Sequence, residues 1–127
     1  MTNFRLTAIP VDVHVALELL AAPLLIVAPF ALGFSVPAGI LSIALGVLLI
    51  GLATSAFGGQ TGRGTLPLTA HANFDLIIGA TTFAAGFLAG FAAGDYAAGL
   101  FLVGFASAHL GLAAITRYTR PAPRLGT

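Results

Sequence analysis

Between Leu19 and Gly62 the chain carries no Asp, Glu, Lys or Arg, and two shorter charge-free runs follow, Leu76 to Gly94 and Tyr96 to Thr116. Crossing the hydrocarbon layer of a bilayer takes about 20 apolar helical residues. The first run holds most of two such helices and each of the others holds one, so the pattern predicts helices over about 13–34, 38–56, 69–91 and 97–117. A helical bundle standing in water would show charged outer faces at helical period, and these segments show none. The expected fold is all-α, a polytopic membrane protein with four transmembrane helices.

Local signals place the turns. Asp12 and Thr69 stand where N-caps of the first and third helices are expected. Ser35-Val36-Pro37 predicts one tight turn and Asp95-Tyr96 the other, with Pro37 in the first turn of its helix. Pro23 and Pro29 fall inside the first helix, and the carbonyls they free must find donors on neighbouring helices. The polar stretch 57–66 is rich in glycine; it lacks the Gly-Lys-Ser/Thr and the preceding strand of a phosphate-binding loop and reads as a connector. Residues 1–11 read as a retained leader, because Glu18 interrupts what would be a signal's apolar centre. Residues 118–127, with Pro121 and Pro123, read as an extended, mobile tail in which Tyr118 marks the membrane interface.

The order of residue types is written twice. Ile9-Pro10-Val11-Asp12-Val13-His14, with Glu18 four residues on, matches Leu66-Pro67-Leu68-Thr69-Ala70-His71 with Asp75, and the same offset pairs Gly33 with Gly90. The expected organisation is a single membrane domain of two tandem parallel helical-hairpin repeats, about 9–56 and 67–117. In the second, Gly86, Gly90 and Gly94 fall four apart, the spacing of a close helix-packing seam, with Ala85, Ala89 and Ala93 beside them.

Composition agrees: 58% of the 127 residues are hydrophobic and 7% charged. Cysteine is absent, which removes disulfides and thiolate chemistry. A net charge of +1 gives no reason to expect nucleic acid as a partner. Four crossings put both termini and the 57–66 loop on one side, where Arg5, Arg63, Arg117, Arg120 and Arg124 all fall; Asp95 alone marks the other. By the positive-inside rule the arginine side is cytoplasmic, which in a bacterium means the inner membrane with both termini inside.

His14, Glu18, His71, Asp75 and His109 are the polar residues in the cytoplasmic half. Each early His shares a helix face with the acid four residues on, so the nearest partner expected for each acid is its own His. Three roles fit. The pairs can be local hydrogen bonds that fix helix register. Two imidazoles and two carboxylates, with His109 as a fifth donor, can hold a transition metal. The cluster can also line a proton or solute pathway, although only Ser42, Thr81 and Thr82 continue it. Haem b between His14 and His71 is a further option, with an acid one turn below each His as an awkward neighbour. No nucleophile–base pair or cofactor fingerprint is present, so no enzyme is expected.

The run Leu24 to Phe34, with Ala28-Pro29-Phe30 followed by Leu32-Gly33-Phe34, resembles the SPW-repeat family of small bacterial membrane proteins, in which a Ser-Pro-Trp-like triplet precedes Leu-Gly-Phe. The second copy reads Ala85-Gly86-Phe87, then Ala89-Gly90-Phe91. The resemblance implies a duplicated two-helix repeat and no established biochemical role. The leading expectation is a structural or accessory membrane protein, self-associating or docking on a larger membrane complex through its Gly/Ala faces, with no cofactor; the alternative is metal, haem, proton or solute handling by the His/acid cluster.

Overall fold

The computed structural model describes residues 8–56, 65–120 and 126; the first part of the leader, residues 57–64 of the glycine-rich loop and 121–125 and 127 of the tail lie outside them. Four helices, α1 (Val11–Leu32), α2 (Val36–Ser55), α3 (Leu68–Phe87) and α4 (Tyr96–Ile115), form an all-α bundle. A π-helical turn, Leu88–Ala92, extends α3. With that extension, all four are long and apolar enough to cross a membrane. Their outer faces carry exposed Leu20, Val27, Phe30, Ile40, Leu88 and Leu100, as a lipid-facing surface does. One short addition to the expected fold is a parallel pairing of β1 (Ile9–Pro10) with β2 (Thr116–Arg117).

The helices begin one or two residues earlier than the spacing predicts, and for α1 and α3 the reason is proline. Pro10 and Pro67 take the N-cap positions, with φ −62° and ψ 147°, and φ −56° and ψ 141°. That extended conformation is what an N-cap residue needs and what a pyrrolidine ring favours, so proline sets both starts. Asp12 and Thr69 therefore do not cap; neither helix has a side-chain cap bond, and Asp12 in the first turn instead accepts from Arg120 at 3.3 Å.

Each hairpin packs chiefly on itself, α1 against α2 and α3 against α4, while α2 also touches α3 and α4 touches α1. The core between them holds Ala22, Leu25, Leu45, Leu49, Ile78 and Leu102. Pro29 withdraws the amide that would have bonded the Leu25 carbonyl, and Ser42 of α2 donates its hydroxyl to that oxygen at 2.6 Å. The bond missing from the helix is thus supplied by its neighbour.

The glycine seam works inside the second hairpin. A Cβ on Gly86 would lie 2.8 Å from Leu102 Cβ and from the Val103 amide nitrogen, and one on Gly99 would lie 2.7 Å from Gly90 Cα. Gly94 is not part of the seam. It adopts φ +69°, as Gly33 does with φ +66°, and turns the chain into the next helix. The left-handed partner of Gly33 is therefore Gly94, four residues beyond the Gly90 that the offset names. The π-helical turn lies just there, in the longer of the two arms.

Candidate metal centre

His14 and His71 stand one turn into α1 and α3, and their ring centroids lie 5.9 Å apart. The two helices therefore start at the same end of the bundle, and their polar side chains meet. All five residues singled out in the sequence converge. His14, His71 and Asp75 are completely buried, Glu18 is 1% exposed and His109 6%.

The pairing is the local one for Glu18 and crosses between hairpins for Asp75. His14 Nε2 lies 3.1 Å from Glu18 Oε1 and equally 3.1 Å from Asp75 Oδ2. His71 Nε2 lies 3.3 Å from Glu18 Oε2 and 3.6 Å from Asp75 Oδ2. Asp75 is thus nearer the histidine of the other hairpin than its own. Spacing of four residues identifies neighbours on one helix and says nothing about what faces them across a bundle.

Hydrogen bonding fixes how the rings present themselves. The Thr116 hydroxyl donates to the Leu112 carbonyl at 2.6 Å, so its oxygen accepts from His14 Nδ1, 2.7 Å away. The proton of neutral His14 therefore sits on Nδ1, and the Nε2 lone pair faces the carboxylates. His109 Nε2 donates to the Asp75 backbone carbonyl at 3.1 Å, which leaves its Nδ1 toward Glu18 Oε1 at 3.9 Å. That approach depends on Gly79, because a Cβ there would lie 3.2 Å from His109 Cδ2 and collide with Leu110.

Two further groups join from beyond α4. The Tyr118 hydroxyl donates to Asp75 Oδ2 at 2.5 Å, and its ring packs edge-on to His14 with centroids 5.4 Å apart. Burial, and then the Asp75 carboxylate, push this phenol well above its ordinary value, so it is the donor at neutral pH. Tyr118 does not head a mobile tail. Thr116 pairs with Ile9, and Arg120 bonds Asp12 and the Ala56 carbonyl, so the chain is fastened as far as Arg120. Thr116, Tyr118 and Gly79 carried no periodic or motif signal; the one clue was a hydroxylated aromatic placed just past α4, at the histidine end.

Among the described residues, one atom each of His14, Glu18, His71 and Asp75 can be chosen so that all four lie within 4.8 Å of one another. Despite these short distances, His14 Nε2, Glu18 Oε1 and Asp75 Oδ1 make no hydrogen bond. Buried polar atoms that converge with only His71 Nε2 and Glu18 Oε2 bonded to one another suit a shared cation. Two ligand bonds of about 2.1 Å to atoms 3.1 Å apart open an angle of about 95° at the ion, and a separation of 3.6 Å opens about 118°. Both angles belong to ordinary four- to six-coordinate centres. Fold and site together define a four-helix membrane-spanning bundle with a buried two-histidine, two-carboxylate cluster at one end. No family model matches the chain, and neither a curated protein nor a solved structure does.

Proposed function

We propose that the chain is a small integral membrane protein that binds a divalent first-row transition-metal ion through His14, Glu18, His71 and Asp75. The observation that carries this reading is the convergence of imidazole nitrogens and carboxylate oxygens, from both hairpins, on one fully buried point. Charge supports it. Two carboxylates out of water need two positive charges, and one divalent cation between neutral imidazoles supplies them. The bond from His14 Nδ1 to Thr116 leaves Nε2 turned to the centre, the arrangement by which a metal-bound imidazole is oriented. Nitrogen and carboxylate donors favour Zn²⁺, Fe²⁺ or Mn²⁺ over Cu⁺, which prefers sulfur. Haem is a poorer fit, because a porphyrin plane between His14 and His71 would have to pass through the carboxylates lying 3.1 to 3.6 Å from both Nε2 atoms.

In this reading the protein lies in the bacterial inner membrane with the cluster end toward the cytoplasm. Arg117 and Arg120 stand at that end and Asp95 at the other. The doubled hairpin, like the SPW-repeat resemblance, is read as a duplication that supplied one His and one acid from each half. Docking on a larger complex has less to support it, since Gly86 and Gly90 face α4 of the same chain.

The test is elemental analysis of the detergent-purified protein beside a His14→Ala/His71→Ala double variant. The wild type should hold about one ion per chain and the variant almost none. Wild-type protein that stays metal-free after Zn²⁺, Fe²⁺ and Mn²⁺ are offered would sink the proposal.

A further inference from the structure

Five residues after α4 make contacts all around the cluster. Thr116 orients His14, Tyr118 holds Asp75, and Arg120 reaches Asp12 on α1 and the Ala56 carbonyl at the end of α2. Tyr118 lies against both histidine rings and packs on the small apolar cluster of Val11, Val15, Ala53 and Ala56. It covers the cluster on the side where α1 and α3 begin.

The other approach is unsuited to an ion. A lateral groove of about 280 Å³ between α1 and α4 reaches Glu18 and His109, and its walls include Leu17, Leu24, Phe105 and Leu112. Leu24 at its rim is 54% exposed on the lipid-facing surface. A hydrated divalent cation would shed its water against hydrocarbon on that path.

At its outer end the segment is held partly by contacts near the surface. Two paired residues on each strand join it to Ile9–Pro10, and the Arg120–Asp12 pair has its Asp side chain 69% exposed. Segments held by few, solvent-exposed bonds open locally at a small fraction of the cost of global unfolding. We infer that Thr116–Arg120 is a strap that gates exchange of the metal ion between the cluster and the water at that end, with Tyr118 as its stopper. The inference rests on the metal-binding reading and adds the route and its control.

The experiment measures uptake of Co²⁺ as a spectroscopic probe and its release to a chelator, for the detergent-solubilised full chain and for Tyr118→Ala, Tyr118→Phe and Arg120→Ala. Helical circular dichroism confirms folding of each. In Tyr118→Ala uptake should speed up by about tenfold or more, which loss of the Asp75 bond alone would not produce, and release should quicken at least as much. Tyr118→Phe keeps the ring and loses the Asp75 bond, so it should fall between wild type and Tyr118→Ala. Arg120→Ala should speed exchange by about two- to fivefold, the size of an exposed ion pair. Carbethoxylation of His14 should quicken in Tyr118→Ala alongside. Ion bound with unchanged exchange in Tyr118→Ala would overturn the gate and leave the metal site standing. A folded Tyr118→Ala that binds no ion would also overturn it, since Tyr118 would then hold the ion in place. Failure of the wild type to take Co²⁺ would overturn the metal reading and the gate together.

Discussion

The two ends of this bundle solve the same problem with opposite chemistry. At the turn end, Gly33 and Gly94 reverse the chain in left-handed conformations, and Asp95 joins the two turns by accepting the Ser35 amide at 2.8 Å and the Ala98 amide at 3.1 Å. One carboxylate does this, near the surface. At the other end, two carboxylates and three imidazoles are taken out of water altogether, with a tyrosine over them. Desolvating that many ionisable groups costs several kcal/mol each before any partner is counted. The turn end shows that the same four helices can be closed without it. A buried cluster where a single carboxylate would serve is what the proposed ion would account for, and the difference between the ends can be tested by breaking each in turn.

The largest effect belongs to the cluster. Glu18→Ala leaves His14 and His71 without a shared acceptor and Asp75 with an altered charge balance, so unfolding in detergent should become easier by about 3–5 kcal/mol. Metal content should fall with it. If Glu18→Ala instead unfolds at the wild-type midpoint and retains its ion, the cluster does not set the two ends apart. Smaller but still clear is the effect of Gly99→Ala in α4, near the turn end. Its Cβ would meet Gly90 backbone at 2.7 Å, and backbone cannot rotate aside, so about 1–3 kcal/mol should be lost with the metal site intact. Gly90→Ala is the control, because its Cβ would reach Gly99 Cα at an ordinary 3.4 Å; thermal unfolding should separate the two variants. Between the ends, Ser42→Ala abandons the Leu25 carbonyl already deprived by Pro29, and about 1–2 kcal/mol should be lost. Pairing Ser42→Ala with Pro29→Ala, which returns the amide, should recover most of it.

How much of this was legible in the sequence follows the same division. Four helices were, because a charge-free run of bilayer length has few other uses. The faces of His14 with Glu18 and His71 with Asp75 were, because four residues make one turn. That Asp75 lies nearer His14 than its own His71 was not, since helical spacing is silent on what lies across a bundle. Pro10 and Pro67 outranked Asp12 and Thr69 at the helix starts because backbone conformation decides an N-cap as much as a side-chain oxygen does. Gly94 looked like a third member of a seam because spacing does not carry the sign of φ. Tyr118 lies beyond the last helical turn, where periodicity has ended, and only the fold brings it back over His14.

The smallest effect sharpens the comparison most. The Ser35 amide, followed by that of Ala98, holds the Asp95 carboxyl below the usual carboxylate range. A depressed folded value means the stabilisation is fully present above the unfolded value, about pH 4, and is lost as pH falls through the folded one. Asp95→Ala should therefore cost about 0.5–1 kcal/mol at neutral pH, a cap's worth discounted for solvent exposure, and the gap to wild type should close in acid. Asp95→Asn keeps one acceptor oxygen and should lose about half as much. The metal content of both variants should match the wild type, because the 14 residues of α4 from Asp95 to His109 put about 21 Å between Asp95 and the cluster. Loss of the ion on breaking the distant clasp would mean that the ends are coupled through the helices, and the contrast between a structural end and a binding end would then have to be abandoned.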